Sequence, residues 1–325
     1  MKKKVTTVAL AALMIVAVST ISSCKKKDST TTTTPAATTD TNTSSAQDHQ
    51  TAENNSNDAD QMGSEGMDNG NINSNYRIGG GTLLSPMSGS VTVTPNLTAK
   101  TVMITFSSYV GLDGHLRSGT IMYDYSASLI ATATNFRDSG IVINVSTPNN
   151  DYYVDSNKIQ INKTITNMGR SLTTHNLTWH VTTTLAITKA DKEGTIQFTS
   201  DRFNTLLNTN VFSFNSTVIL ASFTGFATPI NWSTAVMGIT SGPNGTTGVS
   251  ADGVGFSANI STMLVRNFNC GPSLTHIHFH PFVAGQIDFT PTGKTTRSIN
   301  FGTGTCDETY TITIGSWSAS FTYNL

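Results

Sequence analysis

The chain lacks an uninterrupted apolar run long enough for a comfortable membrane span. Its best candidate, Val5 to Val18, is short and broken by Thr6 and Thr7. Beyond that run no stretch repeats apolar residues at helical spacing over ten or more positions. The nearest, Asp201 to Asn210, supports at most a short turn. There is no Gly-x-Ser-x-Gly, no His-Glu-x-x-His and no phosphate-cradling glycine loop, so the chemistries those motifs carry have no footing here. An excess of positive charge is also missing. Nineteen Lys and Arg face twenty Asp and Glu, and from Arg77 onward the balance is thirteen to twelve, which offers nucleic acid no electrostatic footprint. The scattered carboxylates give no pair assignable to glycoside hydrolysis.

What is present begins at the amino terminus. Met1-Lys2-Lys3-Lys4 is a positive flank ahead of the apolar run, which suits the core of a signal peptide. The run ends in Ile21-Ser22-Ser23-Cys24, which resembles the lipobox of bacterial lipoproteins. The resemblance implies a leader over 1–23, cleavage before Cys24 and acylation of that cysteine. Several acyl chains together hold a protein stably on a bilayer. By resemblance to lipoprotein sorting rules, Lys25 in place of Asp implies outer rather than inner membrane, with the domain on the periplasmic or the cell-surface side. From Asp28 to about Tyr76 the chain is rich in Thr, Ser, Asn and Gly, with eight acids and no Lys or Arg after Lys27. Low hydrophobicity and one-sided charge predict a disordered tether over 24–76. Asp28-Ser29-Thr30 also resembles a Bacteroidetes O-glycosylation acceptor.

From 77 to 325 the dominant signal is strict alternation in Thr-, Val- and Ile-rich runs, which predicts an all-β domain. Lys100 to Phe106, Lys158 to Thr166, Thr178 to Thr188 and Phe256 to Leu264 are examples, with a further run at Val211 to Phe223. Glycines precede several runs, at Gly119, Gly140, Gly194 and Gly285, as hairpin turns closing on a residue with positive φ would place them. Close strand spacing favours an antiparallel meander, as a sandwich or a strongly curled sheet. Gly238 to Gly255 reads as a long flexible loop or a seam between sub-sheets.

The segments Lys100 to Phe106, Asp113 to Ile121, Arg137 to Ile143, Asp151 to Asn167 and Arg297 to Asp307 together resemble a family of uncharacterised Bacteroidetes lipoproteins. The likeness runs in the same order from about residue 96 onward. It implies a β-rich extracytoplasmic domain and no known activity. The chain departs from that pattern in having no cysteine around Phe106 to Asp113, and in a histidine-rich insert.

That insert supplies the sharpest candidate chemistry. His276, His278 and His280 alternate, so a strand would project all three from one face. Neighbouring pairs have the chemistry to chelate zinc or copper. The outer two lie about 13 Å apart on an extended strand, so a complete site needs further ligands, with His175, His180, Asp288, Asp307 and Glu308 as candidates. The plain alternative is a solvated histidine face ended by Pro281. Acylation of Cys24 would leave Cys270 and Cys306 as a pair in an oxidising compartment, where a disulfide is the default; free thiols or metal ligands are the alternatives. Trp179, Trp232, Trp317, Tyr152 and Tyr153 offer aromatic faces for a glycan, or for packing. A transmembrane barrel lacks support, because the terminal aromatic that resemblance to outer-membrane barrels would imply is absent and the Ser- and Thr-rich strands show no clear lipid-facing band. The expectation is therefore a lipid-anchored, non-enzymatic binding or structural protein with an unidentified protein or glycan partner.

Overall fold

The alternating runs become a single antiparallel sheet. The computed structural model describes residues 40–69, 87–111, 113–127, 139–171, 174, 176–191, 193–207, 235–270, 282–307 and 309–322. These form one helix, α1 (Ser44–Asn69), and the strands β1 (Ser88–Asn96), β2 (Thr101–Val110), β3 (Leu116–Asp124), β4 (Val142–Ser146), β5 (Tyr153–Val154), β6 (Asn157–Arg170) and β7 (Leu177–Thr188). They continue with β8 (Thr195–Leu206), β9 (Val236–Val249), β10 (Gly255–Asn267), β11 (Ala284–Pro291), β12 (Arg297–Thr303), β13 (Thr309–Ile314) and β14 (Trp317–Thr322). Each strand pairs with the next in the chain, except that β4 pairs with β6 while the short β5 bridges β3 and β6. The path starts at β1 and ends at β14, with no pairing between those two among the described residues.

Alternation decides which face is which. In β6, Ile159, Ile161, Lys163 and Ile165 point inward, while Gln160, Asn162 and Thr164 point out. β7 pairs with it in a register that sets Ile161 opposite Leu185 and Lys163 opposite Thr183. A slip of one residue would expose the whole apolar set, so the pattern itself fixes the pairing. The inner face is a continuous core of Ile, Val, Phe and Tyr drawn from strands along the whole path.

The sheet curls around α1, so the part of the expected 24–76 tether that is described is ordered, and the expectation of no long helix is overturned. Of that stretch, Asp40 to Asn69 is described, and its helix is buried: Ala46, Ala52 and Met62 are fully inaccessible, and so is His49. Thr43 O accepts the first helical hydrogen bond from Gln47 N, and the Asn42 side chain takes the Ser44 N–H, so the start is capped locally. The segment has too little apolar surface of its own to order itself alone. Here the sheet supplies the apolar wall, and α1 contributes charge and small residues.

Three other expectations change. Gly238 to Gly255 is not a long loop or seam, because Val236–Val249 forms β9 and only Ser250 to Val254 turns into β10. Asp201 to Leu206 continues β8, paired on both sides, where the extended ladder overrides any local turn preference. The four marker glycines do all take positive φ, but Gly119 and Gly285 sit inside strands. A Cβ on Gly119 would lie 1.9 Å from Asp151 O, so close backbone approach, not a hairpin, demands glycine there. The run Val211 to Phe223 lies outside the described residues.

Cys270 and Cys306 are joined as a disulfide, their Cα atoms 5.4 Å apart. The bond encloses β11 and β12, and a loop of its 36-residue separation stabilises by about 3–4 kcal/mol in the chain-entropy model.

Gly63 tests how closely the sheet approaches α1. Replacing it with Ala gains about 1 kcal/mol of helix propensity. The new Cβ would nevertheless stand 2.0 Å from Cε1 of Tyr123. That ring is buried, and its hydroxyl donates to Ala59 O at 2.6 Å, so it has nowhere to move. Gly63→Ala is expected to destabilise by about 1–3 kcal/mol in chemical denaturation. Gly66→Ala, whose Cβ would meet the Cδ1 and Cγ1 atoms of the single aliphatic side chain of Ile104 rather than a hydrogen-bonded ring, should cost less.

Candidate functional site

Five cations occupy inward positions where alternation would place apolar residues. They are Arg117 on β3, Lys163 on β6, Arg202 on β8, Arg266 on β10 and Arg297 on β12, all buried. Each meets α1 or the segment leading into it. Arg297 reaches Asp40 at 2.6 Å and Asn42 O at 3.2 Å. Arg202 clasps both oxygens of Glu53. Arg117 bridges Asp58 and Asp113, each at 2.5 Å. Lys163 donates to Asp60 at 2.7 Å and Ser56 O at 2.6 Å, and Arg266 to Gln61 at 3.5 Å.

Burial and pairing compete in this layer. Burial works to raise the Asp113 carboxyl, but the Arg117 contacts outweigh it and hold the group below its usual range. Burial lowers the Lys163 ammonium, opposed by Asp60, and brings Arg266 down to about 10. His49 sits among Phe198, Phe256 and Phe289, at ring separations of 5.9, 5.6 and 5.3 Å. Burial, then the nearby charge of Arg202, pushes its pKa down to about 3. The ring is therefore neutral. Its Nδ1 accepts from Gln50 Nε2 at 3.1 Å, which leaves the proton on Nε2, 3.3 Å from Glu53 Oε1.

Over the first half of α1 the enclosure opens into a cleft of about 460 Å³. One wall is the helix face bearing Gln47, Gln50, Thr51 and Asn54. Facing it are Lys189 and Glu193 from the β7–β8 turn, Asp252 from the β9–β10 turn, and Tyr310 of β13. Lys189 holds Asp48 at 3.6 Å and Glu193 at 3.0 Å, while Asp48 accepts the Ala251 N–H at 2.8 Å. Glycine again permits the approach, since a Cβ at Gly194 would lie 2.1 Å from Ala251 O.

A second polar cluster lies on the outer face. The register of β8 on β9 shifts between Ser200 and Arg202, and Asp201 anchors the bulge by accepting from the Asn244 backbone N at 3.1 Å and side chain at 2.7 Å. His180 pairs with Asp201 at 2.6 Å and stacks on Phe203. The orientation resembles that of a general base, but no nucleophile among the described residues is in contact with it, and it reads as a clamp on the bulge.

The sequence-predicted candidates are placed as follows. Cys24, His175, Trp232, His276, His278, His280 and Glu308 lie outside the described residues. No group of three or more metal-ligating side chains is assembled among the described residues, and His180, Asp288 and Asp307 are not brought together there. Tyr152 is buried with its hydroxyl toward Asp58, Tyr153 is exposed, and Trp179 and Trp317 are half-buried against the core. None of these aromatics lines the cleft. Sequence reasoning missed every α1 contribution. The available signal was the five cations sitting in apolar phase, each demanding a buried partner.

Two measurements probe the layer. Glu53→Gln leaves Arg202 as an uncompensated buried charge and is expected to cost about 3–5 kcal/mol in denaturant melts. The double change Glu53→Leu/Arg202→Met should recover most of it. For His49 the folded pKa lies below the unfolded value of about 6.5, so the unfolded state binds the extra proton. Its contribution is complete above pH 6.5 and declines by roughly 1.4 kcal/mol per unit as pH falls from there toward 3. His49→Gln should flatten the stability profile between pH 6.5 and 5 by that slope. Comparison of the chain with protein-family models, curated proteins and solved structures finds no match.

Proposed function

We propose that this is an outer-membrane lipoprotein, acylated at Cys24, whose β-domain is a non-enzymatic binding module working through the cleft beside α1. The observation that carries the binding role is the cleft. Its helix wall is built of amides and a hydroxyl where a packed helix face would ordinarily be apolar. Its volume falls within the range of roughly 300–1,000 Å³ common to small-molecule sites. The anchoring role rests on the lipobox and on the resemblance to Bacteroidetes lipoproteins.

The placement of α1 sharpens the anchoring geometry. Asp40, held by Arg297, stands 16 positions after Cys24. At no more than about 3.3–3.6 Å per residue, that span keeps the domain within about 55 Å of an acylated cysteine. The expected tether of 24–76 would have permitted a far larger reach.

Two experiments test the two halves. Cys24→Ala should move the protein from the membrane pellet to the soluble fraction, and unchanged partition would refute the anchor. Native mass spectrometry of the full-length chain extracted from its membrane should show a small-molecule adduct, which Thr51→Trp, filling the cleft, removes. An adduct-free wild type refutes the binding role.

A further inference from the structure

Of the five inward cations, four are arginines and one, Lys163, is a lysine. The difference matters chemically. An arginine stays charged and serves a buried ion pair well, whereas a lysine shifts its pKa readily when buried and can act as a nucleophile. Arg117, Arg202 and Arg297 each hold a carboxylate as a fixed charge. In the same layer Lys163 brings a reactive amine to a place where a permanent charge would pair as well.

Its surroundings hold that amine against one carboxyl group. The side chain is wholly inaccessible, and Nζ donates to Ser56 O at 2.6 Å and to Asp60 Oδ1 at 2.7 Å. Ser56 and Asp60 stand at i and i+4 on α1, so one turn of helix presents both the carboxyl and the backbone acceptor that aims Nζ at it. With a C–O bond of about 1.2 Å, Cγ of Asp60 lies no more than about 4 Å from Nζ. Near-attack geometry needs about 3–3.5 Å, which a rotation of the carboxyl group supplies. Desolvation lowers the Lys163 ammonium, and Arg266 adds to this against the pull of Asp60 and Glu53, which brings the neutral amine within reach.

We propose that Lys163 and Asp60 condense into an isopeptide bond that joins β6 to α1. The ion pair first passes a proton from Nζ to the carboxylate, which sets a neutral amine beside a carboxylic acid. The nitrogen lone pair attacks Cγ, and the C–N bond forms. One C–O bond then breaks, and its oxygen takes a second proton from nitrogen and leaves as water. Nothing is oxidised or reduced, and no co-reactant is needed. In open water both groups stay ionised and seldom meet. Here burial opposes the charges, and groups held in contact reach effective concentrations of about 10⁵–10⁸ M. The product replaces a buried charge pair, which adds little net stability, with a neutral amide. It makes α1 covalently part of the sheet, through a bond that survives the reduction that opens Cys270–Cys306. None of this depends on what the cleft binds.

Tandem mass spectrometry of a tryptic digest of the reduced full-length chain tests this. Trypsin does not cut after an acylated lysine, so the peptide from Ile159 to Arg170 should stay whole through Lys163. In most of the chain it should be joined to the peptide from Asp28 to Arg77, which carries Asp60, with the loss of one water. Lys163→Arg keeps a cation opposite Asp60 but cannot condense, and should give the two regions as separate peptides. Cleavage after Lys163 in the wild type, with the Asp60 peptide free, overturns the proposal and leaves an ordinary ion pair. A link from Lys163 to any other residue overturns it too, as does a link to Asp60 that persists in Lys163→Arg. The wild-type digest decides the question whether or not the arginine variant folds.

Discussion

The pairing of carboxylates on α1 with cations on the inner face of the sheet is the constraint on which the architecture depends. Without the helix, Arg202 and Lys163 would be bare charges in an apolar interior, each costing several kcal/mol even after relaxation. The sheet therefore cannot collapse onto itself as a two-layered sandwich. It must stay curled around something acidic. Buried ion pairs add little net stability, since desolvation consumes most of the attraction. They are effective at specifying position. Cations from five strands grip Asp40, Glu53, Asp58, Asp60 and Gln61, which fixes both the depth and the rotation of α1.

This also explains which parts of the structure were legible in the residues. The strands were, because alternation is local: Ile159, Ile161 and Ile165 declare an inward phase whatever lies opposite. The meander followed from short, close connections. The helix was not legible, because its apolar residues are few (Ala46, Ala52, Ala59, Met62 and Met67 are the buried ones) and its acids looked like the self-repelling charge of a disordered segment. The same one-sided charge is complementary once Lys163 and Arg117 are seen in core phase. Charge balance had to be judged between segments, not within each. The cleft was hidden for a related reason, because its wall is the stripe Gln47, Gln50, Thr51 and Asn54 on a helix that composition did not announce.

The two halves of α1 are treated differently by the sheet. Between Glu53 and Gln61 every charged side chain has a cation or a backbone partner, and Gly63 and Gly66 let Tyr123 and Ile104 close in. Along the stripe Gln47, Gln50, Thr51 and Asn54 the enclosure loosens into the cleft, and Gln50 and Asn54 keep buried acceptors that the protein does not satisfy. A core element optimised only for stability would carry apolar residues along that stripe. Retaining amides there departs from local consistency, and such departures concentrate at functional sites.

The polar character of α1 has a further consequence for how the chain reaches this structure. Its partners are distant in sequence: Arg117 stands 59 residues from Asp58, Lys163 103 from Asp60, Arg202 149 from Glu53 and Arg297 257 from Asp40. Contacts of such separation form late, because loop closure must precede any gain from them. The segment emerges first and waits longest. An apolar core helix in that place would expose a sticky surface throughout, whereas an acidic one stays solvated until the cations of β3, β6, β8 and β12 assemble around it. The composition that imitates disorder is thus what allows an amino-terminal segment to become the centre of a sheet that follows it.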